Sequence, residues 1–243
     1  MYNSSDQFYT EGGYYKSNPD WHQEGSKYKA DLVLEFIKKF QLPTGLLVEV
    51  GCGAGEVLAE LAKSLPASSV LKGYDISPQA IQIAAKKATL QLSFYLDDYT
   101  QLNEPKADLV LALDVVEHVD DVYSFLRRLR DKGRTFIFHI PLDMSCRTLL
   151  KPHVLLQQRT DVGHLHYFTE ETMLWMLRDV GFNVEYLIYT KADVDLVKPG
   201  SFKQWAKKVL RKLSYSINKK LSVKLWGGYS VSALAKPFIK SNE

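Results

Sequence analysis

From residue 46 onward, short apolar runs alternate with stretches of helical periodicity, and this alternation constrains the fold more than any other feature of the chain. Residues 46–50, 69–75, 90–96, 108–113 and 135–140 read as strands, the last ended by Pro141. Residues 56–65, 78–88 and 120–130 read as the helices that connect them. A helix over 26–40 precedes the series. After it come a helix over 169–180, with Thr169 as its N-cap and Gly181 behind it, and strands over 182–189 and 229–235. Strands that alternate with helices predict an α/β fold, a doubly wound and mostly parallel sheet with helices on both faces. Ligands of such sheets bind beyond the carboxyl ends of the strands, so the chemistry is expected in the loops after strands one to five.

The chain has 243 residues, 46% of them hydrophobic, which suits one globular domain with an appendage. The expected division is an irregular, aromatic-rich arm over 1–25 and a main domain over 26–243, with a helical insert at 191–226. Two cysteines, Cys52 and Cys146, do not make a disulfide framework. The first residues lack a basic patch followed by an apolar run, and no apolar stretch is long enough to span a bilayer. A cytoplasmic protein with reduced thiols is therefore the expectation.

Charge is concentrated in one place. Residues 201–224 hold eight of the 31 Lys/Arg and none of the 28 Asp/Glu. Phe202, Trp205, Val209, Leu213, Ile217 and Leu221 recur there at steps of three or four, an apolar stripe on a cationic helix. Such a helix either packs its stripe on the domain or lies on an anionic membrane surface, and the first is the favoured expectation. A local basic segment on an otherwise mildly acidic body does not suggest a nucleic-acid partner.

Gly51, Gly53 and Gly55 fall between the first strand and its helix. Glycine permits a tight turn there and a close approach of ligand to backbone, while the helix start supplies unpaired N–H groups. Asp75 ends the second strand, 24 residues after Gly51, where a carboxylate can accept from ribose hydroxyls. The dinucleotide fingerprint calls for a third glycine at position 56, but Glu56 stands there and sets a carboxylate where a pyrophosphate would lie. A cofactor with a ribose and no phosphates fits better, and S-adenosylmethionine is one.

Four motifs in order carry a family resemblance. Val48–Gly55 and Gly73–Ser77 look like the first and second motifs of class I S-adenosylmethionine-dependent methyltransferases. Asp97-Asp98-Tyr99 sits where that family contacts adenine, and Leu113–Val119 (LDVVEHV) resembles the Glu-His segment of quinone-biosynthesis O-methyltransferases. The resemblance implies a seven-stranded sheet of order 3-2-1-4-5-7-6 with the seventh strand antiparallel. It also implies cofactor contacts. Glu49, Gly51 and Gly53 would line the methionine part, with Cys52 and Gly55 of the same turn also binding the cofactor. Asp75 would hold the ribose. Asp98 would receive the adenine amino group, with Ile76 and Tyr99 flanking the ring, and Asp114 would sit near the methionyl end. The implied activity is methylation of a small acceptor of sugar, lipid or quinone type, with oxygen the expected atom. A dinucleotide oxidoreductase and a non-catalytic cofactor-binding module are the rival readings.

On the acceptor side stand the histidines. His118 follows strand four and His139 lies near the end of strand five. His164 and His166 are two residues apart, so an extended backbone would turn both imidazoles into one cleft. His166, then His164 and His118, are the candidate general bases or acceptor-orienting groups. A metal set from His164, His166 and Asp143 or Asp161 is loose, and no metal is expected. Tyr15, Trp21 and His22 in the arm suit a lid, Lys27 and Lys29 suit the cofactor carboxylate, and His139 suits the acceptor.

Overall fold

The computed structural model describes residues 25–190 and 200–238, so the lid candidates Tyr15, Trp21 and His22 lie outside the described residues. Its strands are β1 Leu46–Val50, β2 Val70–Asp75, β3 Leu92–Leu96, β4 Ala107–Leu113, β5 Gly133–Leu142, β6 Phe182–Thr190 and β7 Tyr229–Pro237. They form one sheet in the order β3-β2-β1-β4-β5-β7-β6. The first five pair in parallel, and β7 runs antiparallel to both β5 and β6. This is the topology that the motifs imply.

The helices are α1 Ser26–Phe40, α2 Glu56–Ala62, α3 Pro78–Ala84, α4 Val122–Arg130, α5 Cys146–Leu149, α6 His153–Asp161, α7 Glu170–Asp179, α8 Phe202–Ile217 and α9 Lys219–Trp226. Side chains alternate across a strand, and here both faces are covered. Val48, Val110, Phe136 and Phe138 pack with Leu126 and Leu129 of α4 and Met173 and Leu177 of α7. Leu47, Leu109, Leu111 and Ile137 pack with Val33 and Phe36 of α1 and Leu58 and Leu61 of α2. Two buried faces explain why the central strands read as unbroken apolar runs. They also leave the carboxyl ends of the strands as the place for polar groups.

Three expectations need correction. Pro141 does not end β5: the strand continues to Leu142 and pairs Pro141 with Ser230. Pairing with β4 has already stopped at Leu113 and His139, so the missing proline N–H faces no partner strand on that side. Between β5 and α7 the chain carries α5 and α6. The basic insert is not one helix but two. Asn218 leaves helical geometry and caps α9, its Oδ1 accepting from Leu221 N–H at 3.0 Å. The two helices close on each other through Ser214, whose hydroxyl meets Ser222 at 2.8 Å and accepts from Trp226 Nε1 at 3.0 Å. As a result the expected stripe is not packed on the domain. Phe202 and Ile217 are 79% and 86% exposed, and the buried positions are instead Tyr215, Ser222 and Val223.

Candidate active site

The turn after β1 takes its shape from glycine. Gly51, Gly53 and Gly55 all have positive φ, at 67°, 52° and 77°. At Gly51 a Cβ would stand 2.5 Å from Val115 Cγ2, and at Gly55 the same distance from the Phe94 ring. Gly51 and Cys52 both donate to the Tyr74 carbonyl, at 2.8 and 3.1 Å, which ties the turn to the end of β2. The Cys52 thiol is buried among the apolar residues between the sheet and α1/α2, 3.8 Å from the Gly53 carbonyl, and burial pushes it well above its ordinary pKa.

Two acids border the turn. Asp75 accepts from Gly53 N–H at 2.8 Å and from Ser77 N–H at 2.8 Å, while burial still raises its pKa. Glu49 is 3% exposed, and its Oε2 has no hydrogen-bond partner among the described residues. Burial pushes Glu49 up to about 8, against the opposing charge of Lys29.

Across the switch point between β1 and β4, Asp114 directly follows β4 with φ 55°, a left-handed conformation outside glycine. His139 Nδ1 stands 2.5 Å from its Oδ1 and Lys29 Nζ 2.5 Å from its Oδ2. Burial alone would raise Asp114, but His139 and Lys29 outweigh it and hold the carboxyl far below the usual range. His139 in turn reaches Thr190 Oγ1 with Nε2 at 2.9 Å.

A second group lies just past β4. Glu117 and His118 occupy a tight turn over Val116–His118, and the chain at 165–166 crosses it, Leu165 and His166 N–H both donating to the Glu117 carbonyl. This crossing sets His164 edge-on to His118, ring centroids 4.9 Å apart. His166 turns away: its Nε2 bonds the Val119 carbonyl at 2.8 Å and its ring lies beside Phe168. The two histidines therefore do not share one cleft. Burial and the neighbouring His164 lower His118 to about 4.

A family model described as a methyltransferase domain matches residues 21–187. The chain belongs to this family, the class I S-adenosylmethionine-dependent methyltransferases. Among curated relatives, a ubiquinone biosynthesis O-methyltransferase of Hydrogenovibrio crunogenus is 29% identical over 44% of this chain and 48% of its own length. An ajmaline N-methyltransferase of Rauvolfia serpentina is 32% identical over 41% of this chain and 38% of its own length. The chain thus spans about half or less of these relatives. Among solved structures, magnesium protoporphyrin IX methyltransferase from Synechocystis with bound SAH shares the fold, with TM-score 0.60 and 22% identity over 96% of this chain and 97% of the other.

The cofactor of the family is S-adenosylmethionine, and the methyltransferase's turn fits it. A buried, unpartnered Glu49 oxygen matches the ammonium of the methionyl group, and the glycine turn leaves no Cβ in the way. Ile76 and Asp98 are half-buried at the rim, and Asp98 Oδ1 accepts from Thr100 N–H at 2.9 Å and from Thr100 Oγ1 at 2.7 Å. Tyr99 departs from its expected place. It is 1% exposed, 4.8 Å from the Tyr74 ring and bonded through its hydroxyl to the Lys132 carbonyl, a core residue rather than a wall for adenine. Lys29 departs too, since Asp114 already claims it, and Lys27 pairs with Asp31 at the surface. His139, expected beside the acceptor, is 4% exposed and sits behind Asp114. Thr190 and Phe94 support the site without any sequence signal, whereas Val115 lies in the motif after β4. Glu117 belongs to the same Leu113–Val119 motif, which is its sequence signal.

Proposed function

We propose that this chain transfers the methyl group of S-adenosylmethionine to an oxygen of a small, largely apolar acceptor. The observation that carries the reading is the juxtaposition, at the ends of adjacent strands β1 and β4, of the glycine turn with the Glu117–His118–His164 group. The cofactor, when bound, supplies a methyl carbon already activated by its sulfonium. What remains for the protein is to hold acceptor and methyl in line about 3 to 3.5 Å apart and to ease the loss of the hydroxyl proton. Glu49 and the backbone of Gly51–Gly55 would bind the methionyl part, and Asp75 would turn to the ribose. Asp114, fixed by Lys29 and His139, would set the edge between cofactor and acceptor. Burial keeps the His118 imidazole uncharged, with a lone pair to offer at the acceptor side of the site. The quinone-type relatives support an oxygen acceptor, and the ajmaline enzyme marks nitrogen as the alternative.

The exposed residues of α8 suggest where such an acceptor is met. Phe202 and Trp205 stack 5.6 Å apart on the surface. Nearby, Lys207 feels the positive charges of Arg147, Arg211 and Lys151, a cationic patch beside an apolar one. This pairing suits the headgroup region of an anionic bilayer. No helix among the described residues is long and apolar enough to cross a membrane.

The test is a screen of catechol, phenol and amine acceptors with labelled cofactor, run with wild type and Asp75→Ala. Label transfer to phenolic oxygen, lost in the variant, supports the proposal; transfer to amines alone, or none with any acceptor despite cofactor binding, overturns it. Sedimentation with vesicles of phosphatidylglycerol and phosphatidylcholine checks the surface. Binding that needs the anionic lipid and is lost in Phe202→Ser/Trp205→Ser is the expected result.

A further inference from the structure

Among the described residues, the donor atoms of Glu117, His118 and His164 all lie within 4.8 Å of one another. Each is held from behind. His118 Nδ1 meets the Gly163 carbonyl at 3.2 Å, which assigns the ring proton to Nδ1. His164 Nδ1 meets Asp143 Oδ2 at 2.7 Å, and Asp143 Oδ1 accepts from Gln158 Nε2 at 2.7 Å. These anchors direct the basic Nε2 of each ring toward the group, and His118 Nε2 stands 3.8 Å from Glu117 Oε1. An imidazole whose second nitrogen is oriented by a carboxylate or carbonyl is the usual outer shell of a metal ligand.

Glu117 adds the decisive observation. It is 0% exposed, and neither carboxylate oxygen has a hydrogen-bond partner among the described residues. A buried carboxylate without donors is costly, and a cation removes the cost. The histidine side chains remain 15% and 12% accessible, which gives an ion a way in.

We propose that Glu117, His118 and His164 bind a divalent transition-metal ion, with Asp143 orienting His164 from outside the ligand set. Two imidazoles and one carboxylate suit zinc or cobalt and not magnesium or calcium, which take oxygen ligands. Zinc ligands at about 2.0–2.2 Å stand roughly 3.4 Å apart in a tetrahedron, so a side-chain shift of about an ångström closes the set. Three protein ligands leave a fourth position open, the pattern of catalytic zinc. Resting on the methyl-transfer reading, that position takes the acceptor's hydroxyl oxygen. Coordination lowers the hydroxyl's pKa and its proton leaves to solvent. The oxygen lone pair then forms the new O–CH₃ bond, while the S–CH₃ bond breaks and its electron pair stays on sulfur as a neutral thioether.

Chelator-treated full chain is titrated with Co²⁺, read by visible absorption, and with Zn²⁺ and Mg²⁺ by calorimetry. S-adenosylhomocysteine is titrated separately. One equivalent of Co²⁺ or Zn²⁺ is expected to bind at micromolar or tighter concentration, with Mg²⁺ far weaker. His164→Ala should weaken zinc at least about 100-fold and Asp143→Asn about 10- to 100-fold, with S-adenosylhomocysteine binding retained as the check of folding. No zinc binding by wild type, zinc binding that His164→Ala leaves unchanged, or a preference for Mg²⁺ overturns the site. Metal binding without S-adenosylhomocysteine binding overturns the cofactor reading instead and leaves the metal site standing.

Discussion

His139 of β5 and Asp114, the residue after β4, stand 2.5 Å apart, and Lys29 of α1 closes on the other oxygen of the same carboxylate. This joins the first helix to two central strands at the one non-glycine residue of the site with a left-handed backbone. Removing one partner of such a largely buried pair leaves an uncompensated charge. Lys29→Met is expected to cost about 1–3 kcal/mol in urea unfolding, less than a fully buried pair because both groups keep some solvent. The sign with pH follows from the depressed Asp114 pKa. Its contribution is fully present above the unfolded value near 4 and is lost as pH falls below it. Asp114→Asn should flatten that acid limb, and an unchanged limb would remove the assignment.

Glu49 offers the opposite sign. Burial raises its pKa to about 8, so the fold favours the protonated form. Stability from this group is greatest below the ordinary carboxylate value and is given up as pH climbs to about 8. If the cofactor ammonium pairs with Glu49, the bound state holds a carboxylate. Binding of S-adenosylhomocysteine at pH 7 should then release about one proton, seen as a calorimetric enthalpy that changes with the ionisation heat of the buffer. Glu49→Gln should bind more weakly and release none. Buffer-independent enthalpy in the wild type would place the ammonium elsewhere.

Much of the frame was legible in the sequence because its signals are local. Five short apolar runs, Thr169 before its helix and the glycines after Val50 each act through neighbouring residues, and the sheet order followed from the motifs. What failed depended on distant partners. Nothing around Tyr99 announces that Tyr74 and the Lys132 carbonyl will draw it into the core. Lys29 and Asp114 are 85 residues apart, and His164 finds Asp143 only because the chain crosses the Glu117 turn. The insert misled in another way: its periodic stripe is genuine, but Asn218 breaks the helix and Ser214 folds it back, so the stripe faces outward.

The place of Tyr99 makes a separable prediction. A tyrosine that walls the adenine changes cofactor affinity when replaced, whereas a core tyrosine changes stability. Tyr99→Ala is expected to lower unfolding free energy by about 3–5 kcal/mol, in the range for a buried aromatic. Tyr99→Phe removes only the hydroxyl bond to Lys132 and should cost about 1 kcal/mol. S-adenosylhomocysteine affinity of Tyr99→Phe should stay within about threefold of wild type. A tenfold or larger loss would restore the adenine role.

Gly51 meets two constraints at once, and they can be told apart. Its φ of 67° strains any residue with a Cβ by about 1–2 kcal/mol. In addition, a Cβ would stand 2.5 Å from Val115 Cγ2, adding about 1–3 kcal/mol of overpacking. Gly51→Ala should therefore destabilise by about 2–5 kcal/mol. Val115→Ala in the same chain removes the clashing methyl but not the backbone strain. The double variant is then expected to recover at least 1 kcal/mol relative to the sum of the two single changes. Additive losses in urea unfolding would mean that the turn yields by moving its backbone, and that Val115 does not set its position.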